Sequence, residues 1–73
     1  MDMNNSMKRS EKPTSREIEI LILLSKGKTS KDIATDLHIS SHTVDTYRRN
    51  ILKKMQVSNT LQAIMVCTRK EWL

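Results

Sequence analysis

The sequence has very few of the residues that form cross-links or tight turns: its 73 residues include one Cys, one Gly, one Pro and no Phe. A single Cys excludes an internal disulfide framework and suits a reducing compartment, so we expect a cytoplasmic protein. The scarcity of Gly, Pro and aromatic residues argues against a β fold. Neither a glycine-rich phosphate loop nor a pair of acids suited to catalysis stands out, so we expect no enzyme and no cofactor.

Long apolar runs are also missing. The longest, residues 18–24, is interrupted by Glu19 and is far shorter than the ~20 residues that a membrane span requires. His38 and His42 lie four residues apart, but a turn intervenes and no third ligand is close in sequence. We therefore expect neither a membrane partner nor a metal site.

What the chain does have is positive charge, since 13 Lys and Arg against 8 Asp and Glu give a net charge of +5. This excess suggests a polyanionic partner, although a solvated basic surface would explain it equally well. Residues 1–12 have no hydrophobic periodicity, and we interpret them as a flexible basic arm before a single domain at residues 13–73. So small a domain is near the lower limit for an adequate core, which favours oligomerisation.

Helix start signals recur from Pro13 onward and predict an all-α domain of four helices. The candidate N-caps are hydroxyl or amide side chains: Thr14, Thr29, Ser40 and Asn59. The first two are followed three residues later by Glu17 and Asp32, as in a capping box. Gly27 ends the first helix, and a break at residues 38–40 separates the second helix from the third. The length of that break is typical of a helix-turn-helix.

The third helix, predicted at residues 41–55, has two dissimilar faces. At about 100° per residue, Val44, Ile51 and Met55 align as a core stripe. The opposite face carries polar and cationic side chains, and the candidate base-reading residues on it and beside it are His42, Asp45, Thr46 and Arg49. Arg can bond guanine, Asp can accept from cytosine N4, and the Thr methyl can meet a thymine methyl. This mixture suits a helix in a DNA major groove, although the wet face of an ordinary helix would look similar.

Phosphate contacts are predicted mainly where the second and third helices begin, because free amides and the helix dipole favour an anion there. Hydroxyl side chains and one Lys occur at these two helix starts. With two further residues of the third helix, the predicted phosphate contacts are Thr29, Ser30, Lys31, Ser41, Thr43, Tyr47 and Lys53.

The fourth helix, predicted at about residues 60–70, carries two apolar stripes. One closes the core, and the other consists of Leu61, Met65 and Thr68. We interpret this second stripe as a two-fold dimer interface, which would place two recognition helices about 34 Å apart. The alternative is that the stripe only covers the edge of a small core.

The chain resembles the LuxR/GerE-type DNA-binding domain, which is also the output domain of NarL/FixJ-type response regulators. The matching positions fall without a gap between residue 13 and about residue 67: residues 14–21, 27, 29–34, 37–40, 43–47, 50–51, 54–55, 57 and 62–63. The resemblance implies a bacterial transcription regulator that dimerises through its fourth helix and inserts its third helix into the major groove. It also implies base contacts from Thr46 and Arg49, with Asp45 beside them. Its implied phosphate contacts are Lys31, Thr43 and Lys53.

Several positions depart from the common pattern of this family. Pro13 stands where Leu is usual, Asp45 where Lys is frequent, and Tyr47 where His is frequent. Arg48 replaces an apolar residue and lies only about 40° from the core stripe. We therefore expect Arg48 to flank the core and pair with Glu17 rather than to read bases.

The leading hypothesis is a sequence-specific transcription regulator that binds double-stranded DNA as a homodimer, with RNA polymerase or a larger regulator as a further partner. The alternative is a small interaction protein that modulates a larger regulator by pairing through its fourth helix. The Met1 start and the length favour a stand-alone protein over a fragment of a regulator with a receiver or sensor domain.

Overall fold

The computed structural model describes residues 12–73, and in this part of the chain it contains four helices and no strand. The helices are α1 (Ser15–Ser25), α2 (Ser30–Leu37), α3 (Ser41–Met55) and α4 (Thr60–Arg69). The predicted all-α, four-helix fold is therefore confirmed. Of the basic arm predicted at residues 1–12, all but Lys12 lies outside the described residues.

Each helix begins at the side-chain cap that the sequence predicts. The Thr14 backbone N–H donates to Glu17 Oε1 at 2.9 Å, and the Glu17 N–H donates to Thr14 Oγ1 at 3.2 Å. Thr29 and Asp32 form the same reciprocal box, with both distances 3.1 Å. In α3 and α4 the cap side chain accepts from the backbone three residues later: Ser40 and Asn59. These bonds satisfy N–H groups that the helices themselves leave unpaired.

All four helices end in a Schellman motif, although the chain has a single Gly. One residue at the end of each helix has a positive φ: Gly27 (86°), His38 (59°), Gln56 (58°) and Glu71 (61°). Each following N–H donates to the carbonyl five residues earlier: Lys28 to Leu23, Ile39 to Ala34, Val57 to Leu52, and Trp72 to Cys67. In the last three motifs that following residue is apolar and packs on the core, which offsets the strain of a left-handed residue with a Cβ.

The core is formed by the inward faces of all four helices. Its buried side chains are Ile20, Leu21, Ile33, Ala34, Val44, Ile51, Met55, Ala63 and Cys67. The predicted stripe of α3, from Val44 to Met55, is among them. Helices α1 and α3 each pack against the other three helices, whereas α2 and α4 do not contact each other. The outward face of α3 is therefore fixed by packing on three sides.

The predicted pairing of Arg48 with Glu17 is wrong. The Glu17 carboxylate instead accepts from Lys54 Nζ at 2.7 Å, and Arg48 reaches Ser30 and Asp45. The reason is the rotation of α3: Lys54 lies about 80° to one side of Val44, and Arg48 lies about 40° to the other. The first side faces α1, where Glu17 begins the helix, and the second faces the start of α2.

No helix in residues 12–73 is long and apolar enough to cross a membrane.

Candidate nucleic-acid interface

The outward face of α3 brings the predicted base-reading residues together on one surface. His42 and Arg49 are exposed, and Thr46 and Asp45 are half-buried. Arg49 Nη2 donates to Thr46 Oγ1 at 3.3 Å, and Thr46 Oγ1 donates to the His42 carbonyl at 3.1 Å. The guanidinium is therefore held one helical turn above His42 while most of its donors still face solvent. A planar, forked cation in this position can recognise a guanine edge.

The N-terminus of α3 is better suited to an anion than that of α2. The first turn of α3 contains no acidic residue, and Ser41 and Thr43 stand beside its amides. The first turn of α2 contains Asp32, whose pKa is lowered by hydrogen bonds from the Thr29 backbone and hydroxyl. The charged Asp32 carboxylate already accepts a hydrogen bond from the Thr29 backbone N–H, and its negative charge repels a phosphate. At that end the predicted phosphate contact therefore depends mainly on Lys31.

Three cations stand around this surface without an acid partner in residues 12–73. Lys31, Arg49 and Lys53 are exposed and make no ion pair there, whereas Arg16, Lys28, Arg48 and Lys54 each have one. Unpaired cations retain their full attraction for a polyanion, because no carboxylate competes for them. Lys26, Arg69 and Lys70 also make no ion pair within residues 12–73, so unpaired positive charge is present near α3 but is not confined to it.

Tyr47 lies differently from the other predicted phosphate contacts. It is half-buried against the core, whereas Ser41 is exposed at the start of α3 and Lys53 is exposed nearer its end. Tyr47 is thus less accessible to a ligand than Ser41 and Lys53.

A network at the junction of α2 and α3 could not be predicted from local patterns. Ser30 Oγ donates to Asp45 Oδ1 at 2.7 Å, and Arg48 Nη1 donates to Ser30 Oγ at 3.0 Å. Arg48 Nη1 also lies 3.8 Å from Asp45 Oδ1. Ser30 has one hydroxyl proton and gives it to Asp45, so its contact with a phosphate would come from its backbone N–H. The sole sequence signal is an Arg placed close to the core stripe.

A shallow depression lies beside this network on the surface of α3. Its volume is about 260 Å³, and it is lined by Asp45, Arg48, Arg49 and Leu52. Two of the predicted base-reading residues, Asp45 and Arg49, therefore border one concave feature.

The predicted dimer stripe of α4 is exposed. Leu61 keeps 65% and Met65 54% of its surface open to solvent, and Thr68 is also exposed, while Ala63 and Cys67 on the inner side are buried. Leu61 and Met65 are two of the three large hydrophobic residues that are exposed in residues 12–73. The stripe does not serve as a cover for the core, because it faces away from it.

The described residues offer no alternative chemical centre. Among residues 12–73 no three His, Cys, Asp or Glu side chains are grouped so as to hold a metal ion. Burial raises the pKa of the Cys67 thiol, whose Sγ donates to Met55 Sδ at 4.0 Å. A protonated, buried thiol is a poor nucleophile.

Comparison with known proteins finds a match over most of residues 12–73. Residues 13–67 match the family described as bacterial regulatory proteins, luxR family. The uncharacterized response regulatory protein YgeK of Escherichia coli is 46% identical over 56 residues, covering 77% of this chain and 38% of that protein. The transcriptional regulatory protein LiaR of Bacillus subtilis is 46% identical over 59 residues, covering 81% of this chain and 28% of that protein. The response regulator protein VraR of Staphylococcus aureus is 42% identical over 67 residues, covering 86% of this chain and 32% of that protein.

A solved structure has the same arrangement of helices. The crystal structure of Escherichia coli SdiA aligns with a TM-score of 0.75 and 35% sequence identity, covering 85% of this chain and 26% of that one. The chain thus spans between about a quarter and two fifths of the length of these similar proteins.

Proposed function

The chain belongs to the luxR family of bacterial regulatory proteins, and from this premise we propose that it is a sequence-specific regulator that inserts α3 into the major groove of double-stranded DNA. The matched family and relatives are regulators, which confirms that the chain is not an enzyme. The observation that carries the proposal is the outward face of α3, where Arg49 is held by Thr46 beside unpaired cations. A cytoplasmic location follows from this role.

In this proposal the base edges are read by His42, Asp45, Thr46 and Arg49. Arg49 is the principal reader, because its guanidinium can bond guanine O6 and N7 together. Thr46 limits the movement of Arg49 and presents its own methyl group to the groove.

The phosphates on either side of the groove are held by two helix starts and by cations. The proposed contacts are Thr29, Ser30, Lys31, Ser41, Thr43, Tyr47 and Lys53. These contacts fix the register of α3 on the duplex but carry no sequence information. The attraction depends on salt, since each cation that meets a phosphate releases a counterion.

We further propose that the active form is a homodimer joined through Leu61, Met65 and Thr68 of α4. The exposure of Leu61 and Met65 supports this, because a two-fold axis that passes beside this stripe of α4 would bury both on both copies. The two α3 helices would then read half-sites about 34 Å apart. RNA polymerase or a larger regulator is the further partner that control of transcription would require.

The proposed function is tested by selecting bound DNA from a random pool and measuring affinities for the selected site. We expect Arg49→Ala to weaken specific binding by ~1–3 kcal/mol and to relax the preference at one position. Lys31→Ala should weaken binding to all sequences and reduce the salt dependence of binding by about one counterion. Arg16→Ala is the matched control, because it removes the same charge from the outer surface of α1, where Arg16 pairs with Glu19.

Two outcomes would contradict this function. One is that no sequence is enriched from the pool. The other is that Arg49→Ala binds the selected site as well as Arg16→Ala does.

The second candidate function is an interaction protein that pairs with a larger regulator through α4, with the α3 face incidental. It is favoured by the same exposed stripe, since Leu61 and Met65 would accept the fourth helix of a longer relative as readily as a second copy. The two functions differ in whether the isolated chain binds DNA at all.

A further inference from the structure

The Ser30–Asp45–Arg48 network joins the start of one helix to the outward side of the next. The Asp45 carboxylate receives the Ser30 proton at 2.7 Å, and Arg48 Nη1 lies within 3.0 Å of Ser30 Oγ and 3.8 Å of Asp45 Oδ1. The Asp45 and Arg48 side chains remain 50% and 40% exposed. The network is therefore ordered by its own contacts while staying open to the surface on which DNA would lie.

The two carboxylate oxygens of Asp45 differ in their contacts. Oδ1 accepts the hydrogen bond from the Ser30 hydroxyl and forms the ion pair with the Arg48 guanidinium. Within residues 12–73, Oδ2 has no hydrogen-bond donor. A carboxylate fixed through one oxygen presents the other in a defined direction. Asp45 also lines the depression that Arg49 borders.

A carboxylate on a DNA-binding surface is normally unfavourable, because phosphates repel it. Arg48 offsets that repulsion locally, since its charge lies beside Asp45. Arg48 is itself tied to Ser30 and Asp45, so it is less available than Arg49 to read a base. Its position suits a group that acts through its neighbour.

We propose that Ser30 and Arg48 are positioning residues that hold Asp45 as an acceptor for the exocyclic amino group of cytosine, and so set the base preference at one position of the DNA site. This inference rests on the proposed function, because it requires α3 to lie in the major groove. The four bases differ there in what they offer a carboxylate. Cytosine presents an N4 donor, whereas adenine places its N6 donor next to the N7 acceptor. Guanine and thymine present acceptors, which repel a carboxylate.

The test measures the affinity of the full chain for a selected site and for single-base variants of it at every position. In the wild type we expect one position where cytosine is preferred by about 5- to 150-fold, the range of a good base contact. Asp45→Ala should remove this preference, and Asp45→Asn should move it toward adenine, whose N6 and N7 match an amide.

Two variants then separate positioning from simple structural support. Ser30→Ala should reduce the cytosine preference at that same position without changing charge. Arg48→Met should reduce both the preference and the overall affinity, with Arg16→Met as the control for loss of one positive charge. Adding Asp45→Asn to Arg48→Met should restore the affinity, since it removes the uncompensated carboxylate. Melting curves of all variants show whether any loss of affinity comes from unfolding. A residue that only supported the fold would not change the cytosine preference at one position of the site.

The results distinguish this inference from the function beneath it. If no site is selected by the wild type, the proposed function and the inference both fail. If a site is selected but Ser30→Ala and Arg48→Met keep the wild-type cytosine preference, or Asp45→Ala does, only the inference is overturned.

Discussion

Glu17 is the one charged side chain that is buried in residues 12–73, and it joins the start of α1 to the end of α3. Its Oε1 accepts from the Thr14 N–H at 2.9 Å and from Lys54 Nζ at 2.7 Å. Burial raises its pKa, but the hydrogen bonds from Lys54 and Thr14 and the charge of Lys54 lower it more. The net pKa therefore lies below the ordinary value of 4.5.

This shift gives the fold a defined response to acid. A carboxyl whose pKa is lower in the folded state contributes its full stability above the unfolded pKa, and the contribution is lost as pH falls through the folded pKa. We expect Glu17→Gln to lower the free energy of unfolding by about 1–3 kcal/mol at pH 7. Gln retains the capping pattern, so the loss isolates the ion pair.

Urea denaturation at pH 7 and at pH 3 checks this prediction. The difference between wild type and Glu17→Gln should shrink at pH 3, because Glu17 of the unfolded chain is largely protonated there and the folded state loses part of its advantage. Glu19→Gln is the control, because Glu19 is exposed on the same helix. An equal difference at both pH values would show that the charge is not what stabilises.

The partner of Glu17 could not be predicted from the sequence. Arg48 and Lys54 both lie within about 80° of the core stripe of α3, and both carry a positive charge. Which of them meets Glu17 depends on how α3 is rotated against α1, and helical spacing within α3 contains no information about that rotation.

At the scale of the element, helix starts and ends differ in how they are encoded. A start is marked by a short polar side chain, followed in α1 and α2 by an acid three positions later, so all four caps could be predicted locally. An end in this chain usually lacks the glycine that normally marks it. The fourth helix was expected to reach residue 70 and stops at Arg69, because the Schellman motif around Glu71 depends on Trp72 reaching the core.

The non-glycine ends also leave stability unused. Gln56 is exposed at φ 58°, where a Cβ is unfavourable. We expect Gln56→Gly to raise the free energy of unfolding by about 0.5–1 kcal/mol, because the gain in the folded state exceeds the added freedom of the unfolded chain. Chemical denaturation measures this directly. Gln56→Ala is the matched control, since it shortens the side chain but keeps the Cβ, and a glycine variant no more stable than it would refute the argument.

At the scale of the whole molecule, the proposed homodimer depends on the exposed stripe of α4. We expect Leu61→Asp to leave the monomer folded, since 65% of Leu61 is already exposed, and to abolish pairing by placing like charges across the two-fold axis. Sedimentation should show monomers, and binding to a site with two half-sites should weaken by at least tenfold.

Thr35→Asp provides the control for this experiment. It adds the same charge to an exposed position of α2, which does not contact α4. A Leu61→Asp protein that dimerises like Thr35→Asp would contradict the α4 interface. If the wild type binds no DNA but captures a longer relative, and Leu61→Asp abolishes that capture, the interaction protein is the correct reading.

The candidate site could be predicted only where one helix supplies all of it. His42, Thr46 and Arg49 were placed on a common face because they share a helix with the core stripe, and the structure shows that face. The link from Ser30 to Asp45 and Arg48 spans 15 and 18 residues and two helices. It depends on the crossing of α2 and α3, which no periodicity describes.

The buried thiol of Cys67 has a practical consequence for measuring motion in this molecule. It is the only cysteine of the chain, it is fully enclosed between the helices, and its raised pKa keeps it protonated. A thiol reagent can reach it only when the packing of α4 is transiently lost. The rate of labelling therefore measures how often the core opens, and the unmodified chain already contains the single labelling site that this measurement requires.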